Sequence, residues 1–143
     1  MEKNTLSNAQ RALWMVLITS LAAPFFAGLI EVALSLLSPA LDFLLPPRGG
    51  QTLGEAAVDA FAWGALPATV AALGLTPFVL QHGTYSWLQA AVAGVLSFGA
   101  DAIIFPFAAG GALPFLAFIA GLIAIGIRAM LIMGGILRDA PKA

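Results

Sequence analysis

Residues 87–137 read WLQAAVAGVLSFGADAIIFPFAAGGALPFLAFIAGLIAIGIRAMLIMGGIL. Asp101 and Arg128 are the ionisable residues in this stretch. A helix needs about 20 mostly apolar residues to cross a bilayer. The stretch holds two such runs, about 87–108 and 114–137, with AGGALP between them. Gly110 and Gly111 can close the first helix, and Pro114 suits the first turn of the second. So short a connection predicts an antiparallel helical hairpin inside a membrane.

Working outward, two more runs have the same length and character, about 13–37 (LWMVLITSLAAPFFAGLIEVALSLL) and about 57–80. The first is too long for the apolar region of a signal peptide, typically about 7–15 residues, and reads as a retained span. The composition agrees. Of 143 residues, 61% are hydrophobic and 9% charged, against about 25% charged in a soluble domain. The expected fold is all-α, a polytopic integral membrane four-helix bundle with kinked, small-residue-rich helices, forming one domain over residues 1–143. Pro24 and Pro67 fall inside spans, where each removes a backbone hydrogen bond and bends its helix.

The longest connection is 38–56. Its segment ALDFLL is too short to span and is expected to lie along the interface or over the mouth of the bundle. Lys3 and Arg11 flank the first span, and Arg138 and Lys142 the last. The long loop has Arg48 alone, and the other two loops have neither Lys nor Arg. That bias places both termini in the cytoplasm and the long loop outside, as expected for a bacterial plasma membrane protein. Trp14, Tyr85 and Trp87 are expected as interfacial aromatics at the cytoplasmic helix ends.

Several functions are disfavoured. A net charge of −1 gives no footprint for nucleic acid, and the absence of cysteine removes disulfides, thiol catalysis and thiolate metal sites. The single histidine, His82, falls in a predicted turn as a solvated residue. No nucleophile–base or metal-ligand spacing is recognisable, so neither an enzyme nor a resident cofactor is expected.

The informative residues are the charges within the spans. An ionisable side chain at mid-membrane costs about 2.5–3.5 kcal/mol on insertion scales, so it faces protein or water. Glu31 lies about 9 Å and Asp101 about 10 Å from the outer ends of their spans, with Asp59 at the outer mouth of the second. Arg128 lies deeper, about 21 Å from the outer end of the fourth. Each helix face carrying such a charge is a stripe of small residues. On the third span the stripe is Ala90, Gly94, Ser97 and Asp101. On the fourth it is Ala117, Gly121, Ala124, Arg128 and Gly135. On the first it is Ser20, Pro24, Ala27, Glu31, Ser35 and Ser38. Small residues let helix backbones approach closely, so the third and fourth spans should pack through Gly94, Ser97, Gly121 and Ala124.

These faces predict an intramembrane polar cluster of Glu31, Asp101, Arg128 and Asp59, with Arg128 clamped to one acid. One arginine does not neutralise two carboxylates, so either an acid holds a proton or water or a cation enters from outside. Two functions fit. One is a structural or accessory subunit, or an assembly factor, of a membrane complex. The other is an oligomeric ion- or proton-linked transporter or channel using the intramembrane carboxylates. The expected partners are the lipid bilayer and either further copies of the chain or a larger membrane complex.

Overall fold

In the computed structural model, residues 6–41, 52–104 and 113–139 are described. They form α1 (Asn8–Leu36), α2 (Ser38–Leu41), α3 (Leu53–His82), α4 (Trp87–Ile104) and α5 (Leu113–Met133). All but α2 are long and apolar enough to cross a membrane. At 29 and 30 residues, α1 and α3 are each about 44 Å long, more than the hydrocarbon core requires.

Three of the long helices begin with the same device. Ser7 Oγ accepts from the Gln10 amide while the Ser7 amide donates to Gln10 Oε1. Thr52 with Glu55 and Ser86 with Gln89 make the same reciprocal pair. This capping box supplies partners for amides that a helix start leaves unbonded. It also corrects two expected boundaries. The first and second spans start at Asn8 and Leu53, not near 13 and 57, because a capped polar turn precedes each apolar run. A third boundary moves at the C-terminal side. The last helix stops at Met133, not Leu137, because Gly135 takes a left-handed conformation at φ 75°. There the Gly135 amide donates to Ile132 O and the Ile136 amide to Leu131 O, which satisfies the last carbonyls and turns the chain. Pro24, Pro67 and Pro77 lie within helices that continue through them. The expected stops at Gly110 and Gly111, and most of ALDFLL, lie outside the described residues.

The four long helices pack as a ring in the order α1, α3, α4, α5, and among the described residues the diagonal pairs bring no Cα atoms within 8 Å. The pairs α1–α3 and α4–α5 are the closest. Gly64 faces Ala27 and Pro24, so that a Cβ there would lie 3.2 Å from Ala27 Cβ. The Thr69 and Ser20 hydroxyl oxygens lie within hydrogen-bond distance, 3.3 Å, between the same two helices. On the other side, a Cβ at Gly94 would lie 2.7 Å from Ala120 O, so α4 and α5 meet backbone to backbone.

Large apolar side chains point the other way. Leu21 is 67% exposed and Ile103 81%, and others of this kind run along all four long helices. Lipid tails are as apolar as leucine, so a bilayer rewards small residues inside and large ones outside.

The two ends of the bundle differ. The buried core consists of Ala12 and Met15 on α1, Ala72, Leu75 and Val79 on α3, Ala90 on α4, Ile127 and Leu131 on α5, with Tyr85 and Leu137. All lie in the half where α1 begins and α5 finishes, here called the near end. The far end holds the start of α3 and the finish of α1. Toward it the bundle opens into a cleft.

Candidate functional site

The near end is held by arginines bonded to backbone carbonyls. Arg11, 8% exposed, donates from Nε to Leu6 O at 3.2 Å and from Nη1 to Gly135 O at 3.2 Å and Ile136 O at 2.6 Å. It thereby ties the start of α1 to the finish of α5, where the helix dipole favours a cation. Asn8 Nδ2 donates to Leu80 O at 3.0 Å, and the Arg138 amide donates to Gly83 O at 3.0 Å. Both contacts fix the turn after α3. Gly83 is the left-handed residue of that turn, at φ 72°.

Arg128 belongs to this end. Its Nε donates to Tyr85 O at 2.6 Å, in the turn between α3 and α4. The expected clamp between Arg128 and Asp101 is therefore corrected. With Tyr85 just before Trp87, the Arg128 anchor is about 21 Å along α4 from Asp101. Arg128 also sits only about 8 Å from the end of α5, because that helix stops at Met133. The position of Tyr85 is corrected too. It is 3% exposed and part of the core, not an interfacial aromatic. Burial pushes its phenol up to about 12, with the nearby Arg128 charge opposing the shift. Trp14 and Trp87 are exposed, and His82 is an exposed last residue of α3.

The buried face of α4 is Ala90, Gly94, Ser97 and Asp101. Asp101 is 5% exposed, and its Oδ1 has no hydrogen-bond partner. On α5, Gly121 is buried against Ala91 and Val95 of α4, and Ala124 meets Gly94.

Together with Thr19, Trp63, Phe98 and Ile127, the acids Glu31 and Asp59 line a cleft of about 330 Å³ bounded by α1, α3, α4 and α5. Its deep limit is near Thr19 and Ile127, next to the core, and it runs toward the far end past Glu31 and Leu34. Alanines and glycines make much of its wall, including Ala23, Ala27, Ala60 and Gly64. Of the expected four-residue cluster, Arg128 stands apart. Glu31 and Asp59 share a cleft, Asp101 is buried on the α4 stripe, and Arg128 is anchored at the near end.

Thr19 was not singled out from the sequence. Helical hydroxyls commonly bond the carbonyl four residues back. Ser35 does so to Glu31 O, Thr69 to Ala65 O and Thr76 to Ala72 O. Thr19 does not: it is 7% exposed, and its Oγ1 is buried without a partner. Nothing in the local sequence separates it from the others.

Four membrane-length apolar helices in a ring, with small residues inward and large ones outward, define a small four-span integral membrane protein. No protein-family model, no characterised protein and no solved structure matches the chain.

Proposed function

We propose that the protein is an accessory subunit or assembly factor of a larger membrane complex, with both termini cytoplasmic. The observation that supports this is how its guanidinium groups are used. Arg11 and Arg128 both bond backbone carbonyls that join helix ends, which is architectural work. The topology rests on the Lys and Arg bias around the spans. Reporter fusions after residue 143 and between residues 48 and 51 test it, and opposite sides are expected. Native mass spectrometry of the protein extracted from its own membranes in mild detergent tests the role. A heteromeric assembly of fixed stoichiometry is expected.

The cleft favours a second reading, an oligomeric ion- or proton-linked transporter or channel. Glu31 and Asp59 come from two helices to one cavity that reaches the middle of the bundle. A homo-oligomer without other subunits, with ion flux in liposomes lost on Glu31→Gln, is the outcome that selects this reading over the first.

A further inference from the structure

The cleft and the lipid-facing surface come closest between α1 and α5. Of the neighbouring pairs in the ring, these two helices approach each other least. An outer groove of about 250 Å³ lies between them, lined by Phe26 and Ile30 on α1 and by Ile119, Leu122, Gly126 and Met130 among others on α5. Leu122 and Met130 are exposed on the outer surface, and a Cβ at Gly126 would meet nothing within 4 Å. The groove and the inner cleft share Ile30, Ile119, Ile123 and Ile127. A single layer of isoleucine side chains therefore stands between the lipid and the cleft.

Inside that layer one polar atom is unbonded. Thr19 lines the cleft in the middle third of α1, about 17 Å from the helix start. It is 7% exposed, and its Oγ1 has no partner. The other polar side chains of the lining, Glu31, Asp59 and Trp63, are engaged in interactions of their own. The rest of the lining is apolar. A buried hydroxyl without a partner is costly, so a ligand that bonds it is favoured over a hydrocarbon chain that does not.

We infer that the cleft is a binding site for a neutral, lipid-soluble carbonyl compound that enters from the bilayer between α1 and α5. Thr19 Oγ1 donates to its carbonyl oxygen, and its hydrocarbon chain passes the isoleucine layer into the outer groove. Neutrality follows from depth, because an ionised head near mid-membrane is expensive and a hydroxyl is no counterion. A carbonyl suits the site better than an alcohol, because it brings no second proton that needs an acceptor. A plain hydrocarbon chain fits the same walls but leaves Thr19 Oγ1 unbonded. The site holds under either functional reading, because it concerns the cavity and not the assembly around it.

The test uses the full chain in nanodiscs and two photoreactive probes of equal length. One is methyl undecyl ketone with a diazirine two carbons from its carbonyl, and the other is tridecane with the diazirine at the matching carbon. Labelled residues are mapped by mass spectrometry over a range of probe-to-lipid ratios. Saturable labelling is expected around Ala23 and Ile123, at a ratio about threefold to tenfold lower for the ketone than for the alkane. Thr19→Val keeps the side-chain shape and should bring the two probes to the same ratio, while Thr19→Ser should keep the ketone preference. Thr19→Val also removes an unbonded buried hydroxyl, so the ligand-free protein should lose no thermal stability. Gly126→Phe fills the outer groove, where its neighbours leave space, and should reduce cleft labelling by both probes. Labelling of the cleft that does not saturate, or equal ratios for the two probes in the parent, overturns the inference. So does a ketone preference that survives Thr19→Val, a loss of stability in that variant, or cleft labelling unmoved by Gly126→Phe.

Discussion

Replacing Arg11 with methionine tests whether the near end is a structural lock. The substitution keeps an unbranched apolar stem and removes three hydrogen bonds, to Leu6 O, Gly135 O and Ile136 O. A hydrogen bond involving a charged group contributes about 1.5–3 kcal/mol, and a cation at a helix C-terminus about 0.3–1 kcal/mol more. The three are not additive, and the 2.6 Å contact to Ile136 O is the shortest of them. Water near the helix end can serve the released carbonyls in part. The expected loss is about 2–4 kcal/mol, less than the simple sum. Arg11→Lys keeps the charge but not the fork that reaches α1 and α5 together, and should recover about half of that loss. The assay is equilibrium unfolding in mixed micelles by increasing anionic detergent, followed by tryptophan fluorescence. A methionine variant within about 0.5 kcal/mol of the parent would refute the reasoning, since that is the range of an inconsequential surface change.

Three further predictions follow the same logic. Gly94→Ala places a methyl group 2.7 Å from Ala120 O, so α4 and α5 must separate, at a cost of about 1–3 kcal/mol in the same unfolding assay. The Tyr85 phenol is raised from 10.0 to about 12, so the folded state keeps a proton that the unfolded state releases. Its contribution is full below pH 10 and is lost as pH rises to about 12, about 2–3 kcal/mol in all. Tyr85→Phe should flatten stability across that window. Asp101→Asn and Arg128→Gln should change stability additively within about 0.5 kcal/mol, because the two side chains do not meet. A coupling above about 1 kcal/mol would restore the clamp.

Much of the architecture is legible in residue size alone. The spacing of Ala90, Gly94, Ser97 and Asp101 is the buried face of α4, because one side of a helix must be small if another backbone is to approach it. Helix starts were misplaced because an apolar window passes over Ser7–Gln10 and Thr52–Glu55, where polar side chains bond the backbone. The partner of Arg128 is hidden in the sequence for a related reason. Its acceptor is the Tyr85 carbonyl, and a search for opposite charges does not register a backbone atom. Gly135 sat on the small-residue stripe of the last span, yet its role is to take positive φ where α5 stops. That Glu31 and Asp59 line one cleft while Arg128 bonds a turn at the near end is not legible, since depth along the membrane says nothing about which gap in a ring a side chain enters.

The central claim is that these helices sit in lipid with small residues inward and large residues outward. The chain has no cysteine, so single cysteines along α4 carry nitroxide labels without background. Power-saturation measurements in liposomes then compare collisions with oxygen, which concentrates in hydrocarbon, and with a water-soluble nickel chelate. The account predicts high oxygen and low chelate access at Leu88, Val92, Leu96 and Ile103, low access to both at Ala90 and Ser97, and alternation with a period of about 3.6 residues. Chelate access at Val92 and Leu96 as high as in water, or no difference between the two sets of positions, would contradict it.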